Sequence, residues 1–289
     1  MKNGFFGTLA AIVLIAFSAA MATAQKVTEL QEVGIVAPPA MKIDGKNFEW
    51  KDADFTVNKR TTLSYIISND DKNLYLIVKS TDAMNNNKIL AGGITFSVNP
   101  DGKKKEKESI SLTYPLINRS NMRGPGGAGM RRMGAAMGMG GGAMPSQKER
   151  DSMMAAMQRT QLAQAKEIKL SGFKKTTDTL LSIYNAEGIK AFASIDKENV
   201  FFYEAAIPLE ELGMSAGNTK EFVYNIKVNG LQLAGFDGPG GGGGGRGNVV
   251  VMGSPRGGGG FGGPRGGGFD FQEFTSPTDF WGKYTLLQK

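Results

Sequence analysis

Residues 63–80 contain two largely apolar runs, 63–67 and 74–78, separated by a polar cluster, and this stretch constrains the fold more than any other part of the chain. One face of two successive strands carries Leu63, Tyr65 and Ile67, followed by Leu74, Leu76 and Val78. Residues 69–73 read Asn-Asp-Asp-Lys-Asn, types that favour tight turns because their side chains bond to nearby backbone. The pattern predicts a β-hairpin. Ile66, Tyr75 and Ile77 make the opposite face apolar too, so we expect more chain to cover it.

Short alternating segments recur along the chain, with turn residues between them. We predict strands at 32–36, 94–98, 109–114, 168–173, 180–184, 189–195, 200–207, 221–228 and 280–286, and a helical turn at 208–212. About ten short strands separated by turns are typical of an antiparallel β-sandwich and not of a βαβ fold. We therefore predict a mainly β protein with one sandwich domain over 41–289, preceded by a lead-in at 25–40. Within the domain, Phe48 and Trp50 follow a turn and are expected to close one end of the core.

The first 24 residues have the pattern of a secretory signal peptide. Lys2 supplies the charge, residues 5–20 are apolar, and a small-residue site predicts cleavage between Ala24 and Gln25. A membrane-spanning helix is the alternative, but the apolar run is short for a full span. We expect export to the periplasm, the cell surface or the medium, with no membrane span after cleavage.

Two stretches differ in composition from the rest of the chain. Residues 119–145 consist largely of glycine, methionine and arginine, and residues 235–268 are rich in glycine. The first holds four arginines and no acid, and the second holds three arginines and one aspartate. The formal charge of +7 therefore belongs mostly to these stretches. They contain too few large apolar side chains to pack a core, so we predict disordered insertions.

Residues 146–166 are predicted to form one inserted helix. Ser146 and Glu149 have the spacing of a capping box, which marks a helix start. The apolar positions Met153, Met157, Leu162 and Ala165 are interpreted as one stripe. This stripe would pack against the sandwich, or its methionines would form a partner-binding face.

The chain contains no histidine and no cysteine, which removes the usual zinc, copper and haem ligands and the Ser-His-Asp and Cys-His catalytic systems. Asp70, Asp71 and Asp82 offer the hard oxygen ligands that calcium takes. However, aspartate is also the expected residue in a hairpin turn. We favour turn chemistry and expect no metal and no cofactor.

Catalysis and nucleic-acid binding are both disfavoured. A glycosidase needs two carboxylates facing each other, and the spacing of Glu204, Glu210 and Glu211 singles out no such pair. Arg-Gly-Gly units at Arg256 and Arg265 occur in some nucleic-acid-binding segments, but here few aromatic residues accompany them. We expect a non-catalytic protein without a nucleic-acid partner.

Four groups of residues carry a resemblance to a known family. In chain order they are Ile43-Asp44-Gly45 with Trp50, the run from Ser68 to Leu76 with Asp82, the run from Tyr203 to Leu209, and Phe280-Trp281-Gly282-Lys283-Tyr284. Together they resemble the family-nine carbohydrate-binding modules and their larger relatives. That resemblance implies an exported β-sandwich that binds the ends of sugar chains. Members clamp the sugar ring between two tryptophans, whereas both tryptophans of this chain lie within the motifs themselves.

Two functions remain open at this point. In the first, the protein binds a carbohydrate or glycoconjugate, and Tyr184, Tyr203 and Tyr224 are the candidate residues for stacking on a sugar. The alternation of the strands equally allows each of these rings to lie in the core. In the second, the protein is a structural or interaction protein of the cell envelope, and its glycine-rich and methionine-rich parts contact a protein partner.

Overall fold

The computed structural model describes residues 29–46, 48–117, 146–231 and 271–288. Twelve strands lie in these ranges: β1 Ile35–Val36, β2 Thr56–Asn58, β3 Leu63–Asn69, β4 Asn73–Ser80, β5 Ile94–Asn99, β6 Ile110–Tyr114, β7 Glu167–Ser171, β8 Leu180–Ser182, β9 Lys190–Ile195, β10 Phe201–Pro208, β11 Phe222–Val228 and β12 Thr278–Tyr284. The α-helices there are α1 Ala83–Gly92, α2 Gln147–Gln164 and α3 Phe271–Thr275. The predicted signal peptide, its Ala24–Gln25 cleavage site and both glycine-rich insertions lie outside the described residues.

The strands form two sheets packed as a sandwich, which confirms the predicted fold class. The first sheet has the order β1-β3-β4-β10-β9, with β2 also paired to β3. The second has the order β12-β11-β5-β6-β7-β8. Neighbouring strands are antiparallel apart from β1 and β3, which run parallel. The strand predicted at 32–36 is thus shortened to the two residues of β1.

The main core lies between the sheets. Its centre is aromatic: the ring of Tyr65 packs 4.9 Å from that of Phe280 and 6.3 Å from that of Tyr224, measured between centroids. The two tyrosine hydroxyls lie 3.0 Å apart and share a hydrogen bond. Gly282 is required beside them, since a Cβ at that position would clash with the ring of Tyr224. The alternation of apolar residues in β3 and β4 therefore places their predicted inner face in this core.

A second, smaller core covers the outer face of the first sheet. Ile66, Tyr75 and Ile77 pack there against Trp50 from the segment before β2. This arrangement confirms that chain covers both faces of the hairpin. Trp50 is buried as predicted, although beside the sheet and not at the end of the main core. Phe48 is 83% exposed, so its predicted role as a plug is wrong.

Helix α1 was not predicted from the sequence. Its first turns carry three asparagines, which are weak helix formers because their side chains compete for backbone hydrogen bonds. Here those amides bond elsewhere: Asn85 donates to the carbonyl of Thr61 at 3.0 Å, and Asn86 donates to that of Asn199 at 3.0 Å. Long-range contacts therefore stabilise a helix that local propensity disfavours.

Helix α2 begins as predicted, because Ser146 and Glu149 form the reciprocal capping box. Its apolar stripe is different from the one expected. Leu162 is buried, whereas Met153 and Met157 are 46% and 40% exposed. Met153 and Leu162 are nine residues apart, and a turn of about 100° per residue places them on opposite sides of the helix. The methionines and Leu162 therefore cannot share one stripe.

Candidate functional site

The three candidate metal-binding aspartates have structural roles or lie apart. Asp70 closes the β3–β4 turn by accepting from the backbone N–H of Lys72 at 2.8 Å and of Asn73 at 2.7 Å. The hydroxyl of Tyr75 donates to its other oxygen at 2.7 Å. Partial burial opposes ionisation of Asp70, but these hydrogen bonds outweigh it and lower the pKa of the carboxyl. Both oxygens of Asp70 therefore accept hydrogen bonds within the hairpin.

Asp82 also has a structural role. It is the N-cap of α1 and accepts from the backbone N–H of Asn85 at 2.6 Å. Asp71 is exposed at the tip of the β3–β4 turn. Among the described residues, no group of three or more acidic side chains is placed to hold a metal ion.

Two of the three candidate sugar-stacking tyrosines are in the core. Tyr203 and Tyr224 are both 0% exposed. Burial raises the pKa of each phenol, because an ionised phenolate would lose its hydration there. Neither ring is accessible to a ligand, so both candidates are corrected to core residues. Residues Tyr203 and Tyr224 belong to inward-facing positions of β10 and β11, where alternation points them between the sheets.

Tyr184 differs from the other tyrosines. The chain has seven, and the remaining six are at most 5% exposed, whereas Tyr184 is 76% exposed. It follows β8, where its backbone N–H donates to Ser182 Oγ at 3.2 Å and Asn185 Nδ2 donates to the Ser182 carbonyl at 2.7 Å. The ammonium of Lys166 lies 5.7 Å from the ring centroid and 3.3 Å from the hydroxyl. We refer to Tyr184, Lys166, Ser182 and Asn185 as the Tyr184 platform.

A buried carboxylate lies on the outer face of the first sheet. Glu204, in β10, is 1% exposed, and its Oε2 accepts from the backbone N–H groups of Asp44 and Gly45, both at 2.8 Å. Glu204 Oε1, Glu49 Oε2 and Trp50 Nε1 are also buried and have no hydrogen-bond partner among the described residues. The carboxylate thus anchors the turn that carries Trp50 onto the sheet.

The environment of Glu204 favours its neutral form. Burial is the largest influence and raises the pKa of Glu204 to about 7. The hydrogen bonds from the N–H groups of Gly45 and Asp44 lower this pKa in part, and the nearby carboxylates of Glu49 and Asp44 raise it further. A raised pKa in a carboxylate is a feature of some catalytic sites. Here Glu204 is nearly inaccessible to solvent and accepts hydrogen bonds from the backbone of Asp44 and Gly45, so its role is to position that turn.

The two other glutamates considered for catalysis do not join Glu204. Glu210 is exposed and forms an ion pair with Lys175 at 2.5 Å. Glu211 is buried, in the short 3-10 helix Leu209–Leu212 that follows β10.

A third region is the exposed side of α2. Met153, Met154 and Met157 are 46%, 47% and 40% exposed. We call these three residues the methionine face. The opposite side of the helix is fixed to β9, where Arg159 donates to the carbonyls of Ile195 and Asp196. Sequence reasoning identified Met153 and Met157 but placed them on one stripe with Leu162, and it did not single out Met154.

No protein-family model matches this chain, and no curated protein matches it. None of the helices in the described parts of the chain is both long and apolar enough to cross a membrane.

Proposed function

We propose that this protein is an exported, non-catalytic binding module whose ligand is a carbohydrate or glycoconjugate. The observation that supports this proposal is the exposure of Tyr184, when all six other tyrosines are buried. An exposed aromatic ring offers a flat apolar surface to the C–H face of a sugar. The resemblance of the motif order to family-nine carbohydrate-binding modules supports the same function.

The surroundings of Tyr184 suit a polar ligand with one apolar face. Lys166 adds a cationic donor beside the ring, and Ser182 and Asn185 hold the loop that carries it. Leu180, 50% exposed on β8, adds apolar surface nearby in the chain. β8 has three residues and lies at the edge of the second sheet, and the ring of Tyr184 just beyond it is 76% exposed, so a sugar chain can approach the ring from solvent.

A glycan array and a pull-down on insoluble polysaccharides test this proposal. We expect the native protein to be retained and Tyr184→Ala to bind about tenfold more weakly, since one stacked ring contributes about 1.4 kcal/mol. Tyr184→Phe keeps the ring and should remain close to native. Phe48→Ala removes an equally exposed aromatic side chain elsewhere and serves as the matched control. Retention of no glycan by folded protein, or native binding by Tyr184→Ala, would contradict the proposal.

The non-catalytic part of the proposal has its own test. Glu204 bonds to the backbone of Asp44 and Gly45 and is nearly inaccessible, so we expect no hydrolysis in a broad glycosidase screen. Turnover by the native protein that Glu204→Gln abolishes would show that the protein is an enzyme.

The methionine face favours a second function, that of an interaction protein of the cell envelope. Flexible methionine side chains adapt to the surfaces of protein partners. A photo-crosslinking residue at Met153 should give one defined product in envelope extracts, and the same residue at Lys148, exposed about 140° around the same helix, should not. Removal of residues 121–144 should abolish that product. Equal products from both positions would count against this function.

A further inference from the structure

The methionine face is not explained by the packing of α2. The helix buries Ala155, Leu162 and Gln158, whose Nε2 donates to Asn87 Oδ1 at 2.8 Å. A polar glutamine is therefore in the interface, while three long apolar side chains remain about half exposed. Folding gains little from these methionines, since hydrophobic stabilisation follows the area removed from solvent.

The spacing of the three methionines brings them together on the helix surface. Residues three and four apart on a helix are neighbours, with about 5–6 Å between their Cβ atoms. Met157 is four residues from Met153 and three from Met154, so it neighbours both. At about 100° per residue, the three side chains span about 100° of the helix, with Met157 between the other two. Each has three rotatable bonds, which allow three sulfur atoms to approach one point.

Thioether sulfur is a soft ligand, and soft ligands select Cu(I) over harder cations. The absence of histidine and cysteine removes the usual copper ligands but leaves thioethers, and no thiolate or imidazole in this chain competes with them. Methionine is also concentrated in this part of the sequence: nine of the chain's 15 lie between residues 122 and 157.

We propose that Met153, Met154 and Met157 form a binding site for a soft monovalent cation, Cu(I), held by their three thioether sulfurs. The helix is anchored on its other side by Arg159 and Leu162, so it presents the ligands from a fixed backbone. The site is separate from the Tyr184 platform and does not depend on carbohydrate binding.

Protonation does not compete with this site. Metal binding is pH-dependent where the ligand must first lose a proton. A neutral thioether carries no such proton, so the affinity should be the same at pH 5 and pH 8. A site built from carboxylates would instead weaken as the pH falls.

The test titrates full-length protein with Ag(I), which has the same charge and softness without redox chemistry, and with Cu(I) in competition with a chromophoric chelator. The triple variant M153L/M154L/M157L preserves side-chain volume and apolar surface while removing sulfur. We expect it to bind one equivalent less of either ion than the native protein. The matched control M41L/M84L/M214L, which replaces three methionines of the sandwich domain outside α2, should bind as the native protein does.

X-ray absorption of the Cu(I) complex provides a second readout and should show sulfur in the coordination shell at both pH values. Failure of the native protein to bind, or the same stoichiometry in the native protein and the α2 triple variant, would overturn the proposal. Glycan retention by the triple variant should be unchanged, so the failure of one proposal is distinguishable from the failure of the other.

Discussion

Two regions of the molecule have an unusual distribution of polar and apolar groups. The outer face of the first sheet buries a charged residue type, and the exposed side of α2 leaves apolar residues in contact with solvent. On the sheet, a carboxyl group, Glu204, is buried beneath the segment that carries Trp50. On the helix, Met153, Met154 and Met157 lie about half exposed. Buried acids and clustered exposed apolar residues are both informative, because folding alone disfavours each of them.

The two departures teach different lessons. The burial of Glu204 is offset by two backbone hydrogen bonds that fix the Asp44–Gly45 turn, so the structure itself accounts for it. Nothing in the contacts that the structure describes for α2 accounts for the exposed methionines. The first departure therefore has a structural role, and the second is where we place a binding function.

The largest expected effect is on the pH dependence of stability. Glu204 has a raised pKa of about 7 when folded and an ordinary one near 4.5 when unfolded. The folded state thus binds this proton more tightly, and its stabilising contribution is present below pH 4.5 and lost as the pH rises through 7. The shift corresponds to roughly 3 kcal/mol of unfolding free energy.

Urea denaturation between pH 4.5 and 8 measures this effect as the difference between native protein and Glu204→Gln. Glutamine keeps an acceptor for both N–H groups but does not titrate, so its stability should lack the loss of roughly 3 kcal/mol. Identical pH profiles for the two proteins would show that the pKa of Glu204 is not raised in the folded state.

The next effect is the difference in stability between substitutions on the two sides of α2. Leu162 is 5% exposed and part of the main core, whereas Met157 is 40% exposed. Leu162→Ala should destabilise the protein by about 2–4 kcal/mol through lost burial and a cavity. Met157→Ala on the same helix should cost less than about 1 kcal/mol. Comparable losses in chemical denaturation would mean that the methionine face is packed in solution.

The smallest effect on stability is expected from oxidation. Mild peroxide should convert Met153, Met154 and Met157 to sulfoxides before Met214, which is 7% exposed in the core. Because the exposed three contribute little packing, the unfolding free energy should change by less than about 0.5 kcal/mol. Peptide mapping gives the order of oxidation. Faster oxidation of Met214 would contradict the assignment of Met214 to the core and of the other three methionines to the surface.

Local patterns were sufficient for much of the fold. The alternation in residues 63–80 predicted both faces of the β3–β4 hairpin, and both are buried as expected. The capping box at Ser146 and the aspartate in the β3–β4 turn were read correctly, because each acts within a few residues of itself. By contrast, α1 was missed, since its asparagines are satisfied by residues distant in the chain.

The candidate site was less predictable. Alternation places Tyr203 and Tyr224 on one face of a strand, but it does not say whether that face is covered. Tyr184 is exposed on the same side of the chain as Leu180 and Ser182 of β8, and alternation alone does not say which side of this edge strand faces solvent. The role of Glu204 depends on Asp44 and Gly45, 160 and 159 residues earlier, and no local signal connects them.

The sequence by itself determined the class of this protein: short alternating strands with polar turns bury enough apolar surface as a sandwich, and periodicity is a local property that can be read directly. Only the tertiary structure decided which polar groups are buried and which apolar groups are exposed. Exposure depends on what packs against a residue. The partners of Glu204 and Tyr224 lie in other elements of the chain, whereas Met153, Met154 and Met157 lie on the side of α2 that faces away from β9.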